Sequence, residues 1–451
     1  MINKKPAHFS ISLVDSRFTR MLSKRFPLSA SPFAPLRISQ PDETAVTNIA
    51  NDLLVSTFVD YEMLHLREGG VVNPARWKAV KRFDNLVGYQ ERKHRRKLSG
   101  VDMDADRCPR LVWRGTLEGS LSDIMYGVIN QSDGDAQAKA AYVRSNIVDS
   151  KVLASVLTAT PSQPFKGLQI KWMVSASGPG LKRLVRLRDF VFLEATGVTQ
   201  RPSGERVGYQ LIHSISIPSL RSLPEYNLVR GRISLFHLFR ENSASTVEVY
   251  SKTSLDLMGS MPSRLAIYAA CKTMEVMERL PVCSQMKKLA WMLRTTSRPR
   301  SPSAKLSHDY SYCRLCQKDL HGEHSLRSRL RHCRICSASV CSTCCRSKTL
   351  RFVDPSTGRL DKRSVRFCIE CINRASRCSG MQVQTDELTQ ANWANTFTNA
   401  RSTLSLSSSE GSRDSFRGAE DAWSDSFVNA YSTLSISSSE TSRDSFQGLR
   451  V

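Results

Sequence analysis

Cysteine is the residue type whose spacing in this chain most clearly indicates chemistry. Five of the thirteen cysteines lie within the fifteen residues from Arg331 to Cys345. Between positions 313 and 371, four Cys-x-x-Cys pairs occur: Cys313/Cys316, Cys333/Cys336, Cys341/Cys344 and Cys368/Cys371. Such thiols can form disulfides, a redox pair or a metal site, or they can cluster by accident. One pair is compatible with redox chemistry, whereas four within 59 residues favour zinc, because each pair can occupy two corners of a tetrahedron.

Disulfides are disfavoured because the sequence predicts a cytoplasmic protein with reduced thiols. The first 26 residues are basic but lack the continuous apolar stretch of roughly 7–15 residues that a secretory signal needs. No segment reaches the roughly 18–20 apolar residues of a membrane span. The best candidate, LAIYAACKTMEVMERL, is interrupted by Lys272, Glu275 and Glu278.

We expect the cysteine-rich segment to fold around two structural zinc ions. Only about a dozen large apolar residues lie between the first and last pair, too few for an independent core. Zinc binding, worth roughly 10–16 kcal/mol per site in peptides, then supplies the folding free energy. Cys345 and Cys378 lie outside the pairs, and the two-residue spacing favours Cys344 over Cys345 as a ligand. Alternative ligands that eight cysteines make unnecessary are His321, His324 and His332.

The order of the pairs resembles the FYVE-type zinc finger over about residues 312–377. The gaps between pairs are 16, 4 and 23 residues, and the sequences LRHCRIC and VRFCIEC surround the second and fourth pairs. The resemblance implies a two-zinc cross-brace in which the pairs interleave. One zinc is then held by Cys313, Cys316, Cys341 and Cys344, and the other by Cys333, Cys336, Cys368 and Cys371.

The resemblance also implies a basic surface for phosphatidylinositol 3-phosphate, because arginine forks match phosphate oxygens. The candidate headgroup residues are Arg331, His332, Arg334 and Arg366. The sequence departs from the family by lacking the upstream Trp-x-x-Asp motif, by having Leu330 and Arg331 in place of a basic residue and a histidine, and by having Ser337 in place of a glycine. Metal binding requires none of these residues, whereas headgroup recognition requires most of them.

The elements that precede the finger predict an α+β domain. A helical pattern covers residues 44–68, and WKAVKRFDNLVGYQER resembles two short strands across a turn. Alternating or β-branched stretches such as LQIKWMVSA, RDFVFLEATG and YQLIHSISI predict further strands. One long amphipathic helix is predicted from Met261 to Leu293. Strands with few intervening helices, closed by a long helix, indicate an antiparallel sheet packed on that helix.

This pattern resembles START-type lipid-transfer domains over about residues 50–290. The stretch KTSLDLMGSMPSRLAIYAACKTMEVMERL is similar to the last strand, turn and C-terminal helix of that helix-grip fold. The resemblance implies a cavity for one hydrophobic lipid, and a filled core that binds nothing is the alternative. Residues that could line a pocket or simply fill the core are Met258, Met261, Met274 and Met277. Cys271 and Cys283 are expected to be buried and not to bind metal.

The predicted organisation has five parts. Residues 1–45 are mostly disordered, 46–294 form the START-like domain, 295–311 form a linker, 312–377 form the finger, and 378–451 form a disordered tail. The tail is rich in serine and contains a unit that recurs after 30 residues, from WANTFTNARSTLSLSSSE to WSDSFVNAYSTLSISSSE.

Charge and motifs together predict a non-enzymatic adaptor. The net charge is +24, and the segment 313–377 has fifteen Lys and Arg against five Asp and Glu. Such a field favours an anionic membrane, with peripheral endosomal localisation, or a protein partner; a solvated surface is the plain alternative. A RING-like ubiquitin ligase and a nucleic-acid-binding finger are two further alternatives, and few aromatic residues accompany the charges as stacking on nucleic acid would require. No catalytic motif occurs.

Overall fold

The structure, a computed structural model, describes residues 26–68, 70–92, 108–176, 185–259, 263–296, 312–320, 331–354 and 360–403. The first elements are α1 (Gln40–Glu68), β1 (Trp77–Phe83), β2 (Leu86–Glu91), β3 (Arg110–Glu118), α2 (Leu121–Val128) and α3 (Asp133–Tyr142). Strands β4 (Ile147–Leu157), β5 (Gly167–Ser175), β6 (Arg188–Gln200), β7 (Arg206–Ser214), β8 (Val229–Arg230), β9 (Arg232–Ser243) and β10 (Thr246–Asp256) follow. Then come α4 (Ser263–Met274) and α5 (Leu280–Thr296).

One antiparallel sheet organises this region, in the order β1-β2-β3-β10-β9-β7-β6-β5-β4, with β8 pairing parallel to β6. Strand β6 is buried at ten successive positions from Arg188 to Gly197, because helices cover both faces of the sheet. Helix α1 packs on one face through a stripe at helical spacing, which contains Ala50, Leu54, Phe58 and Tyr61. Helices α2, α4 and α5 pack on the other face. The predicted α+β class is confirmed.

The N-terminal segment differs from the prediction of disorder over residues 1–45. Residues 26–39 lie along the sheet, and α1 begins at Gln40. Phe33 is buried edge-on against Trp172, with the ring centroids 5.8 Å apart. The backbone N–H of Leu28 donates to Asp149 Oδ2 at 2.7 Å. Residues 1–25 lie outside the described part of the chain.

The single long C-terminal helix of the prediction is two helices. Helix α4 ends at Met274, a 3₁₀ turn spans Met277–Arg279, and α5 starts at Leu280. Pro281 explains the break, because its ring removes a backbone N–H and is tolerated only in the first turn of a helix. The kink lets α4 cover the end of the sheet while α5 continues towards the cysteine-rich region.

The cysteine-rich region contains two short hairpins and a helix. The strands are β11 (Arg331–His332), β12 (Ser339–Val340), β13 (Cys345–Val353) and β14 (Leu360–Cys368), and α6 (Ile369–Arg377) follows. Strands β13 and β14 pair antiparallel over nine residues. None of the helices that the structure describes has the length and apolar character needed to cross a membrane.

The predicted start of a disordered tail at residue 378 is wrong, because α7 (Gly380–Thr403) begins there. Its first turns pack on α2: the N–H of Gly380 donates to Asp123 Oδ1 at 3.0 Å, and Tyr126 Oη donates to Glu387 Oε2 at 2.9 Å. Val383 is buried in the same contact. Residues 404–451, which include the second copy of the serine-rich unit, lie outside the described part of the chain.

The finger and the sheet domain are joined by a packed interface. The N–H of Arg351 on β13 donates to the hydroxyl of Tyr142 on α3 at 2.7 Å. Gln285 on α5 donates to Ser376 on α6 at 2.9 Å. One continuous apolar core includes buried residues of both regions. The finger is therefore not a separate module at the end of the predicted linker, although residues 297–311 lie outside the described chain.

Candidate functional site

The structure gathers the eight predicted cysteines into two groups of four. The first group contains Cys313, Cys316, Cys341 and Cys344, and the second contains Cys333, Cys336, Cys368 and Cys371. These are the interleaved sets that the family resemblance implies. In each group all sulfur atoms lie within 4.8 Å of one another.

The sulfur separations fit a tetrahedral zinc ion. With Zn–S bonds of about 2.3 Å, two ligands of a tetrahedron lie about 3.8 Å apart. The Sγ atoms of Cys316 and Cys341 are 3.7 Å apart, and so are those of Cys336 and Cys368. Four thiolates are a soft donor set that suits zinc. The two groups can therefore hold two metal ions, and four protein ligands leave no open coordination position for a substrate.

In each group, a tight turn brings together the two cysteines of the first pair, Cys313/Cys316 or Cys333/Cys336. Gln317 and Ser337 follow the second cysteine of their pairs, with φ of 57° and 59°. Their N–H groups donate to the carbonyl oxygens of Cys313 and Cys333 at 2.8 and 2.9 Å. This left-handed conformation costs about 1–2 kcal/mol for a residue with a side chain. Ser337 is the position where the resembled family has glycine, and the structure shows why glycine suits it.

Hydrogen bonding among the thiols prepares the second group for a cation. Hydrogen bonds from Cys336 and Cys371 lower the pKa of Cys333 well below its usual range. The same contact with Cys333 raises the pKa of Cys371. Zinc would supply positive charge at the centre of the group and replace the thiol protons, because cysteines bind the metal as thiolates.

Three of the four predicted headgroup residues, Arg331, Arg334 and Arg366, lie around the end of the β13–β14 hairpin. The N–H of Arg334 donates to the carbonyl oxygen of Arg366 at 3.0 Å. Burial raises the pKa of the Cys345 thiol, and the neighbouring Arg331 and Arg366 oppose this effect. His332 is exposed beside β12, with Nδ1 3.4 Å from Ser339 Oγ. The arginines thus share one basic edge of the finger.

A cavity of about 200 Å³ lies between the sheet and the helices α3 and α4. Its walls are largely apolar, and they include Met173, Phe190, Phe192, Ile212 and Leu235 from the sheet. Leu265, Ala269, Met277 and Leu280 come from the predicted apolar face of the C-terminal helix. The space supports the prediction of a pocket over that of a completely filled core.

The methionines and isolated cysteines have different positions. Met277 lines the cavity, whereas the sulfur of Met274 accepts from Ser251 and Thr253 at 3.6 and 3.7 Å beside it. Met258 is exposed, and Met261 lies outside the described residues. Cys271 and Cys283 are buried and belong to neither cysteine group, in agreement with the sequence prediction.

One end of the cavity is polar, and sequence reasoning missed it. Lys171 donates to Glu194 at 2.5 Å, and Gln210 donates to the other oxygen of Glu194 at 2.5 Å. Burial lowers the pKa of the adjacent His237 to about 3 and that of Lys139 to about 8. The available signal was a charged residue inside an apolar strand, Lys171 in LQIKWMVSA and Glu194 in RDFVFLEATG.

Comparison with known proteins gives structural neighbours only. No family model and no curated protein matches the chain. Human StAR-related lipid transfer protein 5 matches with a TM-score of 0.37 and 13% identity, over 53% of this chain and 98% of that protein. Human STARD10 matches with a TM-score of 0.35 and 12% identity, over 59% and 87%.

A bacterial structure gives a similar result. The STAR-related lipid transfer protein (fragment 25–204) from Xanthomonas axonopodis matches with a TM-score of 0.32 and 15% identity, over 47% of this chain and 99% of the fragment. Because these likenesses are weak, the description of this chain's fold rests on its own sheet and helices.

Proposed function

We propose that the protein is a non-enzymatic, zinc-binding adaptor that docks on an anionic membrane and accommodates a lipid. The observation that carries the proposal is the pairing of two four-cysteine groups with a basic edge in one finger. The expected cofactors are two structural zinc ions. The expected surface is a membrane that contains phosphatidylinositol 3-phosphate, which gives peripheral localisation on endosomes from the cytoplasm.

The arrangement of the finger supports docking and not catalysis. Its cysteine groups are closed by four protein ligands each, and such sites are typical of structural zinc. Arg334 and Arg366 are exposed on adjacent segments, where their guanidinium groups can meet phosphate oxygens. Each well-placed cation near an anionic leaflet contributes about 1 kcal/mol.

The cavity supports the lipid-binding half of the proposal. It is enclosed by apolar side chains of the sheet and covered by α4, so it can remove a hydrocarbon chain from water. The interface between the finger and α3 places this cavity and the basic edge in one packed unit. An adaptor of this kind would present its finger to a membrane while the sheet domain holds a lipid.

Vesicle flotation of the full chain tests the docking role. Liposomes of phosphatidylcholine, with and without phosphatidylinositol 3-phosphate, are compared at about 150 mM salt, where exposed charges more than about 8 Å apart are largely screened. The double variant Arg334→Ala/Arg366→Ala is compared with Arg374→Ala/Arg377→Ala, which removes the same charge from the exposed side of α6. We expect headgroup-dependent flotation that the first variant loses and the control keeps. Equal flotation with both liposomes would leave a protein partner as the alternative.

A further inference from the structure

Three lysines converge on the C-terminal end of α2, and two of them, Lys139 and Lys171, line the polar end of the cavity. Lys139 comes from α3, Lys171 from β5 and Lys287 from α5. Their ammonium groups donate to the carbonyl oxygens of Val128, of Asn130 at 2.6 Å, and of Tyr126 at 2.7 Å, respectively. The partial negative charge at a helix C-terminus favours one such cation and is small for a helix of two turns.

Inside the cavity, Lys139 and Lys171 face one carboxylate, Glu194. Glu194 is already engaged by Lys171 at 2.5 Å and by Gln210 at 2.5 Å. Asp133, Asp135 and Glu387 line a neighbouring pocket, on the side of Lys139 that faces Lys287. Among the residues that the structure describes, Lys139 has no carboxylate at ion-pair distance. Burial lowers its pKa most, Glu194 opposes that effect, and Lys171 and Lys287 lower the pKa further. His237 is neutral, so it adds no charge of either sign.

The other cations of the cavity wall are better satisfied. Arg188 also has no carboxylate at ion-pair distance among the described residues, but it donates to two carbonyl oxygens, of Leu257 at 3.1 Å and of Arg186 at 2.5 Å, whereas Lys139 donates to one. Lys272 on α4 pairs with Glu275 at 2.7 Å. Lys139 is therefore the cation of the wall whose charge a ligand would balance. An ammonium group has three N–H donors, and Val128 occupies one of those of Lys139.

The position of Lys139 in the cavity suits an amphiphile. Ala136 and Ala140 on α3 and Val143 just after it line the same wall, and the sheet opposite contributes Phe190 and Phe192. A hydrocarbon chain can pack along these apolar side chains while the polar group of the ligand reaches the ammonium group. A neutral hydroxyl there would leave the excess charge buried, whereas an anion would pair with it.

We propose that the cavity takes an amphiphile whose polar group is an anion, a carboxylate or a phosphate monoester, and that Lys139 is its anchoring residue. The proposal rests on the lipid-binding role of the cavity proposed above. It adds the charge class of the ligand and the residue that selects it.

Ligand titration of the full chain tests this proposal with four single-chain probes below their micelle concentrations. Oleate and lysophosphatidate carry the two candidate anions, whereas monoolein is neutral and lysophosphatidylcholine is zwitterionic. We expect at least one anionic probe to bind about ten-fold or more tightly than monoolein. The better of the two anions identifies the headgroup chemistry.

Two lysine variants then separate Lys139 from general cavity charge. Lys139→Met is expected to abolish the preference for the anion and to leave monoolein binding within about two-fold. Lys272→Met, which removes a paired lysine from the same cavity, is expected to keep the preference. Circular dichroism checks that both variants fold, and the comparison of probes on the unaltered chain stands without them.

Equal binding of monoolein and both anions would overturn the anionic proposal and leave the lipid-binding role intact. An anion preference that Lys139→Met retains would also overturn it. If none of the four probes binds the unaltered chain, the lipid-binding role fails together with the proposal.

Discussion

The finger and the sheet domain use opposite means to fix their structure. The sheet domain buries long strands between helices, so β6 is covered at ten successive positions. The finger has two hairpins, one of them with two-residue strands, and it gathers eight thiols into two groups. Apolar burial is distributed over many side chains, whereas metal binding concentrates the folding free energy in a few ligands. The two regions should therefore respond differently to single substitutions.

The two regions also share an apolar core at the β13–β14 hairpin. Leu350 and Phe367 of the β13–β14 hairpin are fully buried, although the finger is too small to cover them by itself. They belong to the apolar core that continues into α5 of the sheet domain. If the cysteine groups hold zinc as proposed, the finger would depend on metal at one end, and it packs on the neighbouring domain at the other.

The largest effect is expected from removing a zinc ligand. Cys333→Ser should lower the zinc content from two ions to one and abolish a site worth on the order of 10 kcal/mol. The larger domain should stay folded. Metal analysis of the purified full chain measures the zinc content, and limited proteolysis shows whether the sheet domain remains protected. Cys345→Ser, which alters a buried thiol outside the groups, is the control and should keep both ions.

A substitution that creates a cavity in the sheet core should lower the stability of the sheet domain without changing the zinc content. Leu193 is completely buried between β6 and α1, so Leu193→Ala should lower the free energy of unfolding by about 2–5 kcal/mol. Chemical denaturation measures this loss, and the zinc content should stay unchanged. Val282→Ala on the exposed side of α5 should alter stability by less than about 0.5 kcal/mol. Loss of zinc on Leu193→Ala would show that the two regions are less separable than proposed.

A substitution at Gly380 tests the packing of α7, the helix that follows the finger, on α2 of the sheet domain. A Cβ on Gly380 would lie 2.4 Å from the carbonyl oxygen of Ser122, so Gly380→Ala should destabilise the protein by about 1–3 kcal/mol. Thermal unfolding measures the effect. In Gly167→Ala the new Cβ meets no atom closer than 3.4 Å, so this control should be much milder. A neutral Gly380→Ala variant would contradict the packing of α7 on α2.

The smallest effect, and a stabilising one, is expected at the turn that follows Cys336. Ser337→Gly should raise stability by about 1 kcal/mol, because glycine adopts the left-handed conformation of φ 59° without steric cost. Resistance of the finger to a zinc chelator measures the gain. Ser342→Gly, at a position without positive φ, should give no such gain.

The sequence predicts local features well when apolar residues recur with a helix or strand period, or when cysteines have the spacing of metal ligands. The four cysteine pairs, the strands around Trp172 and Phe192, and the helix that contains Leu54 all follow from such patterns. These features depend on neighbours within a few residues, which is why a sequence alone reveals them.

Features that depend on distant partners were missed. Helix α7 is held by Asp123 and Tyr126, more than 250 residues away, so its serine-rich context gave a misleading prediction of disorder. The polar end of the cavity brings Lys139, Lys171 and Glu194 together from three elements. Pro281 breaks the C-terminal helix, but the amphipathic pattern continues through it and therefore predicts one long helix.

Native mass spectrometry of the full chain is the decisive measurement, because it counts metal ions on each molecule. We expect a species with two zinc ions that loses one ion on Cys333→Ser and none on Cys345→Ser. A folded chain whose finger resists proteolysis but carries no zinc would show that the cysteine groups are not zinc sites.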